Sequence, residues 1–319
     1  MSYRIFTDAT ADLSPELSAG LPEFSVVPMD LTLGERPYTY GPGGNITVNA
    51  FYAAQRAGQF ASTSQINPAV YLRCFGEALR QGEDVLYLGF SSGMSGTLQI
   101  ARLCARELEG QYPGRRVLCV DTLCASVGEG FLVREAARKQ KEGLSLEELA
   151  AWVEERKLQV CHWFTVDTFE HLRHGGRVSG AAAAMGTLLN IKPMLHVSAA
   201  GTLEVAEKPR GRKQAIAAQL SRMKRGWTPE EGRLVVVGHG DCPDRAAELA
   251  ALVKETFPDA EPLLAPIGPI IGAHTGPGML ALIFWGRNGK RGRPHRMRAA
   301  SFQPVEKVQH KLGFFVHKR

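Results

Sequence analysis

The sequence predicts an α/β fold: two α/β domains, the first with a mainly parallel sheet flanked by helices. Three observations lead there. Short apolar runs of strand length alternate with amphipathic segments of helix length along most of the 319 residues, the rhythm of parallel strands joined by covering helices. The run 84–88, Asp-Val-Leu-Tyr-Leu, passes into the loop GFSSGMSGT and then into good helix formers; strand, glycine-rich loop and helix build sites for small anions. Glycine is abundant, at 34 residues, and many glycines stand between apolar runs, where backbone must turn tightly or approach a ligand.

In chain order, residues 3–7 form a first strand ending at Asp8, and 26–33 a second. Segments 50–57 and 68–81 are helical. The latter starts after Pro68 and sets Val70, Leu72, Phe75, Ala78 and Leu79 along one face. Strand 84–88, helix 97–108, strand 116–120 and helix 126–141 follow. Ser145 and Glu148 fit a capping box that opens a helix to residue 157. A domain boundary is expected near residue 160, giving an N-terminal domain over 1–160 and a second over 161–286. The second contains strand 160–166, a short helix before Gly175, an alanine-rich helix over 180–189 and a hairpin of 194–197 with 202–207. Helix 210–224, strand 233–238, helix 243–256, strand 261–265 and strand 279–285 complete it.

The net charge of +6 suggests a nucleic-acid partner, but its distribution argues against one for the body. Residues 287–319 hold ten of the 38 Lys and Arg and one of the 32 Asp and Glu, so the preceding residues carry −3. This tail loses the strand–helix rhythm and is expected to be poorly ordered. Lys290-Arg291-Gly292-Arg293-Pro294 within it resembles an AT-hook core, although a frayed basic terminus explains four residues in a biased segment as well. The six cysteines include no C-x-x-C pair and read as buried reduced thiols rather than zinc ligands or disulfides. There is neither a signal-peptide core nor an apolar run long enough to span a membrane, so a cytoplasmic location is expected. No metal site is expected.

The serine loop supports two readings. Gly89-Phe90-Ser91-Ser92-Gly93 spells G-x-S-x-G, so a serine esterase would use Ser91 as nucleophile and the late His274 as base. But residues 93–97 delay the helix, and no HGGG-like segment precedes the loop. The simpler reading is a binding loop, in which hydroxyls, backbone N–H groups and a helix N-terminus hold a carboxylate or phosphate. Two further polar segments have the same character: Thr63-Ser64-Gln65 ahead of a helix, and His274 within Gly272-Ala273-His274-Thr275-Gly276-Pro277-Gly278, a glycine–proline loop before a strand. No G-x-x-x-x-G-K-[ST] phosphate loop occurs.

Taken in order, these segments resemble the DegV family, the fatty-acid-binding subunits of bacterial fatty acid kinases. The resemblance rests on Ile5-Phe6-Thr7-Asp8, Thr63-Ser64-Gln65, Ser91-Ser92-Gly93-Met94-Ser95-Gly96-Thr97, Asp121-Thr122, Gly175-Gly176-Arg177-Val178-Ser179, Ile191-Lys192-Pro193 and the glycine–proline segment around His274. It covers residues 3 to 286. It implies two α/β domains with an apolar tunnel for an acyl chain, and a fatty-acid carboxylate held by Thr63, Ser64, Ser91, Ser92 and His274. Arg177 and Arg210 would face a separate kinase, which phosphorylates the presented carboxylate to an acyl phosphate. The chain would then be a lipid-binding carrier, with a long-chain fatty acid as ligand, no cofactor and no catalytic residue of its own. Met185, Leu188, Leu189 and the stretch 266–271 are the candidate tunnel walls. The sequence departs from the family pattern at Ala9, at Ile66-Asn67-Pro68 and over 38–44, positions that bear on the tunnel mouth.

Overall fold

The computed structural model describes residues 2–178 and 190–287, all within one compact unit, Met1–Gly289. The expected helix 180–189 with Met185, Leu188 and Leu189, together with Ser179 and all of the basic tail except Arg287, lie outside the described residues.

The strands are β1 (Tyr3–Asp8), β2 (Ser25–Val27), β3 (Met29–Leu33), β4 (Arg36–Tyr40), β5 (Ala61–Thr63), β6 (Asp84–Gly89), β7 (Val117–Asp121), β8 (Val160–Thr165), β9 (Met194–Val197), β10 (Leu203–Glu207), β11 (Leu234–His239), β12 (Glu261–Pro266) and β13 (Leu280–Trp285). The helices among the described residues are α1 (Pro15–Ser18), α2 (Val48–Arg56), α3 (Pro68–Arg80), α4 (Thr97–Gln111), α5 (Val127–Lys141), α6 (Leu146–Arg156), α7 (Glu170–His174), α8 (Gly211–Gly226), α9 (Pro243–Thr256) and α10 (Pro269–Thr275).

The first sheet is parallel throughout, in the order β2-β1-β6-β7. All six residues of β6 are buried, as expected of a central strand covered on both faces. Side-chain caps start the helices where the sequence signals them. Asn67 caps α3, with Pro68 as its first residue, and Ser145 and Glu148 complete the capping box of α6. The second sheet runs β10-β9-β8-β13-β11-β12, antiparallel except for the β11–β12 pair. It draws only on residues after 159, and the other sheets only on residues before 122.

Helix α5 packs against β8, β11 and β13 of the second sheet and against the turn Ala9–Ala11 that follows β1. Two glycines allow this. A Cβ at Gly128 would collide with the His162 ring, and one at Gly130 with the Ala11 carbonyl. One core cluster therefore joins Leu86 and Leu88 of the first sheet, Phe131 of α5, and Phe164, Ile283 and Trp285 of the second sheet.

Several elements differ from expectation, the short helix α1 among them. The run 26–33 is two strands rather than one. Pro28, which has no N–H for a ladder, separates β2 in the first sheet from β3 in a small antiparallel sheet, β4-β3-β5. Strands β4 and β5 of that sheet were not expected. The segment holding His274 is helix α10 rather than a loop: Gly268 precedes it, Pro269 is its first residue, and Gly276 at φ +72° ends it.

Candidate functional site

Strand β5 ends at Thr63 and helix α10 carries His274. Although 211 residues apart, the Thr63 hydroxyl and His274 Nε2 lie 2.8 Å apart. The imidazole is held closely on its other side. A Cβ on Gly175 would lie inside 3.0 Å of His274 Nδ1, which gives a steric reason for a glycine in the Gly-Gly-Arg motif. Nδ1 has no hydrogen-bond partner among the described residues. Burial, then the nearby Arg177 and His174, push His274 down to about 4, so the ring is neutral near pH 7.

The serine loop is fixed by distant groups. Ser91 is fully buried. Its Oγ donates to the Gly201 carbonyl at 2.7 Å and accepts from Gly93 N–H at 3.2 Å. Gly93 lies against the 200–201 backbone so closely that a Cβ would stand 2.6 Å from the Ala200 carbonyl oxygen. Ser92 is exposed and turns to Asp121, donating from N to Oδ1 at 3.2 Å and from Oγ to Oδ2 at 2.5 Å. Ser64 is exposed, and its N–H donates to the Asp30 carbonyl.

Of the five residues expected at the carboxylate, the structure thus brings Thr63 and His274 together, commits the Ser91 and Ser92 hydroxyls to other partners, and leaves Ser64 out of the lining of the cavity that Thr63 and His274 share. The Ser91–His274 pair of a serine esterase does not form either, because the Ser91 hydroxyl is committed to Gly201 and His274 to Thr63. Two other hydroxyls of the loop reach the cavity that Thr63 and His274 line. Ser95 Oγ donates to Thr97 Oγ1 at 2.9 Å, and both side chains line the same cavity as Thr63 and His274. The G-x-S-x-G pattern drew attention to Ser91 and Ser92. The better signal was position, since Thr97 is the first residue of α4.

That cavity is narrow, with an internal volume of about 80 Å³. Beyond the polar group its walls are chiefly apolar, including Met29, Phe90, Phe164, Ile271, Met279 and Ile283. Of the expected wall 266–271, Ile270 and Ile271 line it. Arg177 also lines it and donates to the Gly175 carbonyl. Arg210 is exposed and away from the cavity, with its N–H donating to Gln214 Oε1 at 3.0 Å.

Behind the site lies a group of buried carboxyls. Asp8 accepts from Tyr87 Oη at 2.5 Å and from the N–H and hydroxyl of Thr10, and the same hydroxyl lies 2.9 Å from Glu129. Burial first, then the Asp8 charge, raises Glu129 well above the ordinary carboxylate range. Asp12 accepts from Ser126 Oγ at 2.6 Å and from Gly268 N–H at 2.8 Å, and burial pushes it up to about 7. These bonds tie the end of β1 to the starts of α5 and α10. Among the described residues no cluster of His, Cys, Asp and Glu could hold a metal, all six cysteines are free thiols, and no helix is long and apolar enough to cross a membrane.

Residues 2–287 match the profile of a family described as "Uncharacterised protein, DegV family". The chain belongs to the DegV family. It is 38% identical over 284 residues to a DegV domain-containing protein of Clostridium perfringens, covering 89% of this chain and 97% of that one. Among solved structures, it resembles a fatty-acid-binding DegV family protein from Thermus thermophilus, with 34% identity, a TM-score of 0.78, and coverage of 90% of this chain and 100% of that one. It also resembles DegV, a fatty acid binding protein from Bacillus subtilis, with 27% identity, a TM-score of 0.77, and coverage of 90% and 99%. The DegV α/β architecture expected from the ordered motifs is the one observed.

Proposed function

We propose that this DegV protein binds a long-chain fatty acid, with the acyl chain in the apolar cavity and the carboxylate at Thr63, His274, Ser95 and Thr97 beside Arg177. The observation that carries this reading is the arrangement of the cavity: a paired hydroxyl and imidazole at one part of an otherwise apolar space. The fatty-acid-binding relatives of the same fold support it. Burial of methylenes at about 0.8 kcal/mol each gives a chain of about 16 carbons on the order of 12 kcal/mol before ordering costs. The walls therefore hold the ligand, and the polar group sets its direction. A neutral His274 suits this division of labour. It donates or accepts one hydrogen bond, while Arg177 supplies the positive charge.

On this reading the protein is a carrier. It shields the chain and presents the carboxylate to a separate kinase, which supplies the phosphoryl chemistry. The kinase role rests on the motif resemblance, as do Arg177 and Arg210 as its contacts, whereas a cytoplasmic location and a division into lobes near residue 160 rest on the pattern of apolar segments along the sequence. Native mass spectrometry of protein purified from a bacterial host tests the binding. A bound mass matching a long-chain fatty acid is expected, with affinity weakened about two- to tenfold in Thr63→Val. A wild-type protein that neither carries nor takes up any fatty acid would overturn the proposal.

A further inference from the structure

Two elements run along the cavity and leave it together. Alternate residues of β13 share a face. Ala281 and Ile283 line the cavity, and the next residue on that face is Trp285. On α5, Val127 lines the cavity, and Phe131 follows one turn later on the same face. Phe131 and Trp285 meet edge to face, with ring centroids 5.0 Å apart and planes at 65°. Their exposures are 0% and 4%. Behind them lies a separate cleft of about 540 Å³, lined by Trp285 itself, by Glu135 one further turn along α5, and by Trp152, Arg138, Arg156 and Glu231.

We propose that Phe131 and Trp285 form the end wall of the acyl cavity and set the longest chain this protein accepts. The proposal rests on the fatty-acid reading above. The two rings fill the step between an apolar cavity and a charged cleft, and methylenes pushed past them would emerge among ionised side chains. Trp285 is also backed by Trp152 at 6.3 Å, in a near-perpendicular contact, so it cannot swing outward without displacing α6. One step along the strand, from residue 283 to residue 285, is about 6.6 Å. With an acyl chain advancing about 1.3 Å per carbon, that step spans about five carbons; the alanine Cβ that remains and the Trp152 ring behind it take up part of the length, leaving room for about two to four more carbons.

The test offers delipidated protein an equimolar series of even-numbered saturated acids, from lauric to behenic, and measures what is retained by mass spectrometry. Wild type is expected to show an upper limit of chain length. Trp285→Ala should raise that limit by about two to four carbons, favouring each longer acid about tenfold per two-carbon step. Ile283→Phe, which fills the cavity one step short of the wall, should lower it. If Trp285→Ala does not fold, Trp285→Phe and Phe131→Leu decide, each with a smaller upward shift. Folded, loaded wall variants with an unchanged limit would overturn the proposal, all the more if Ile283→Phe moves it, because the chain would then stop before the wall. A wild type that retains none of the acids instead overturns the fatty-acid reading itself, and this proposal with it.

Discussion

Replacing Gly175 with alanine tests how the site is held, through a residue far from it in sequence. Gly175 has φ −74° and ψ −9°, a conformation alanine adopts freely. On backbone grounds alone, Gly175→Ala should stabilise the fold by about 0.4–1 kcal/mol through the unfolded chain. The structure predicts the opposite. The new Cβ would stand inside 3.0 Å of His274 Nδ1, so the ring must retreat, and its 2.8 Å contact with Thr63 is lost or bent. Overpacking costs about 1–3 kcal/mol and the lost hydrogen bond about 0.5–1.5 kcal/mol. The net loss is then about 1–3 kcal/mol, or roughly 2–5 °C in melting temperature for a chain of this size. Calorimetry on delipidated Gly175→Ala, His274→Ala and the double variant measures it as a cycle. In the His274→Ala background the alanine should be neutral or stabilising. A Gly175→Ala protein as stable as wild type, or one equally destabilised with His274 already gone, would refute the steric argument.

Two further predictions concern neighbouring groups. Asp12, held up to about 7, binds its proton more tightly folded than unfolded, so its contribution is lost as pH rises from about 4 to 7. His162 and His274, both pushed to about 4 chiefly by burial, act oppositely and add stability as pH rises from about 4 to 6.5. Removing the Asp12 component with Asp12→Asn should therefore make the unfolding free energy climb more steeply over that interval than in wild type, by up to about 1.4 kcal/mol per pH unit, as read by denaturant unfolding; parallel curves would refute the assignment. Ser91→Ala should cost about 1–3 kcal/mol of stability by stranding the Gly201 carbonyl while the folded protein keeps its fatty acid, whereas Ser95→Ala should reduce retention at little cost in stability. The reverse pattern, read from melting and retention assays, would return Ser91 to the carboxylate site.

The parts of the fold that were legible in the sequence are those set by local rules. Strand β6, its loop and helix α4 follow from a buried apolar run, glycines and helix formers in succession. The start of α3 was visible at Pro68, and the cap of α6 as a Ser–Glu pair three residues apart. What escaped depended on distant partners. Nothing in residues 26–33 announces that the chain changes sheets at Pro28, because the apolar run continues across it. Helix α10 has only seven residues, rich in the glycine and proline that usually mark loops. In the serine loop, four hydroxyls are chemically alike. Which of them faces the cavity is decided by the Gly201 carbonyl, 110 residues on, and by Asp121, which claim Ser91 and Ser92. The ordered motifs, by contrast, placed Thr63 and His274 in one site despite the 211 residues between them.

Helix α5 shows how this architecture can vary. Its two glycines seat it backbone-close against His162 on one flank and Ala11 on the other, so it can neither roll nor slide without dislodging both. The seat of α5 beside the cavity is thereby set by main chain, while the bore itself is set by the side chains that line it, such as Ile271 and Ile283. With α5 seated in this way, the end wall proposed above is the place where trading the bulk of one residue for another would change the length of chain admitted.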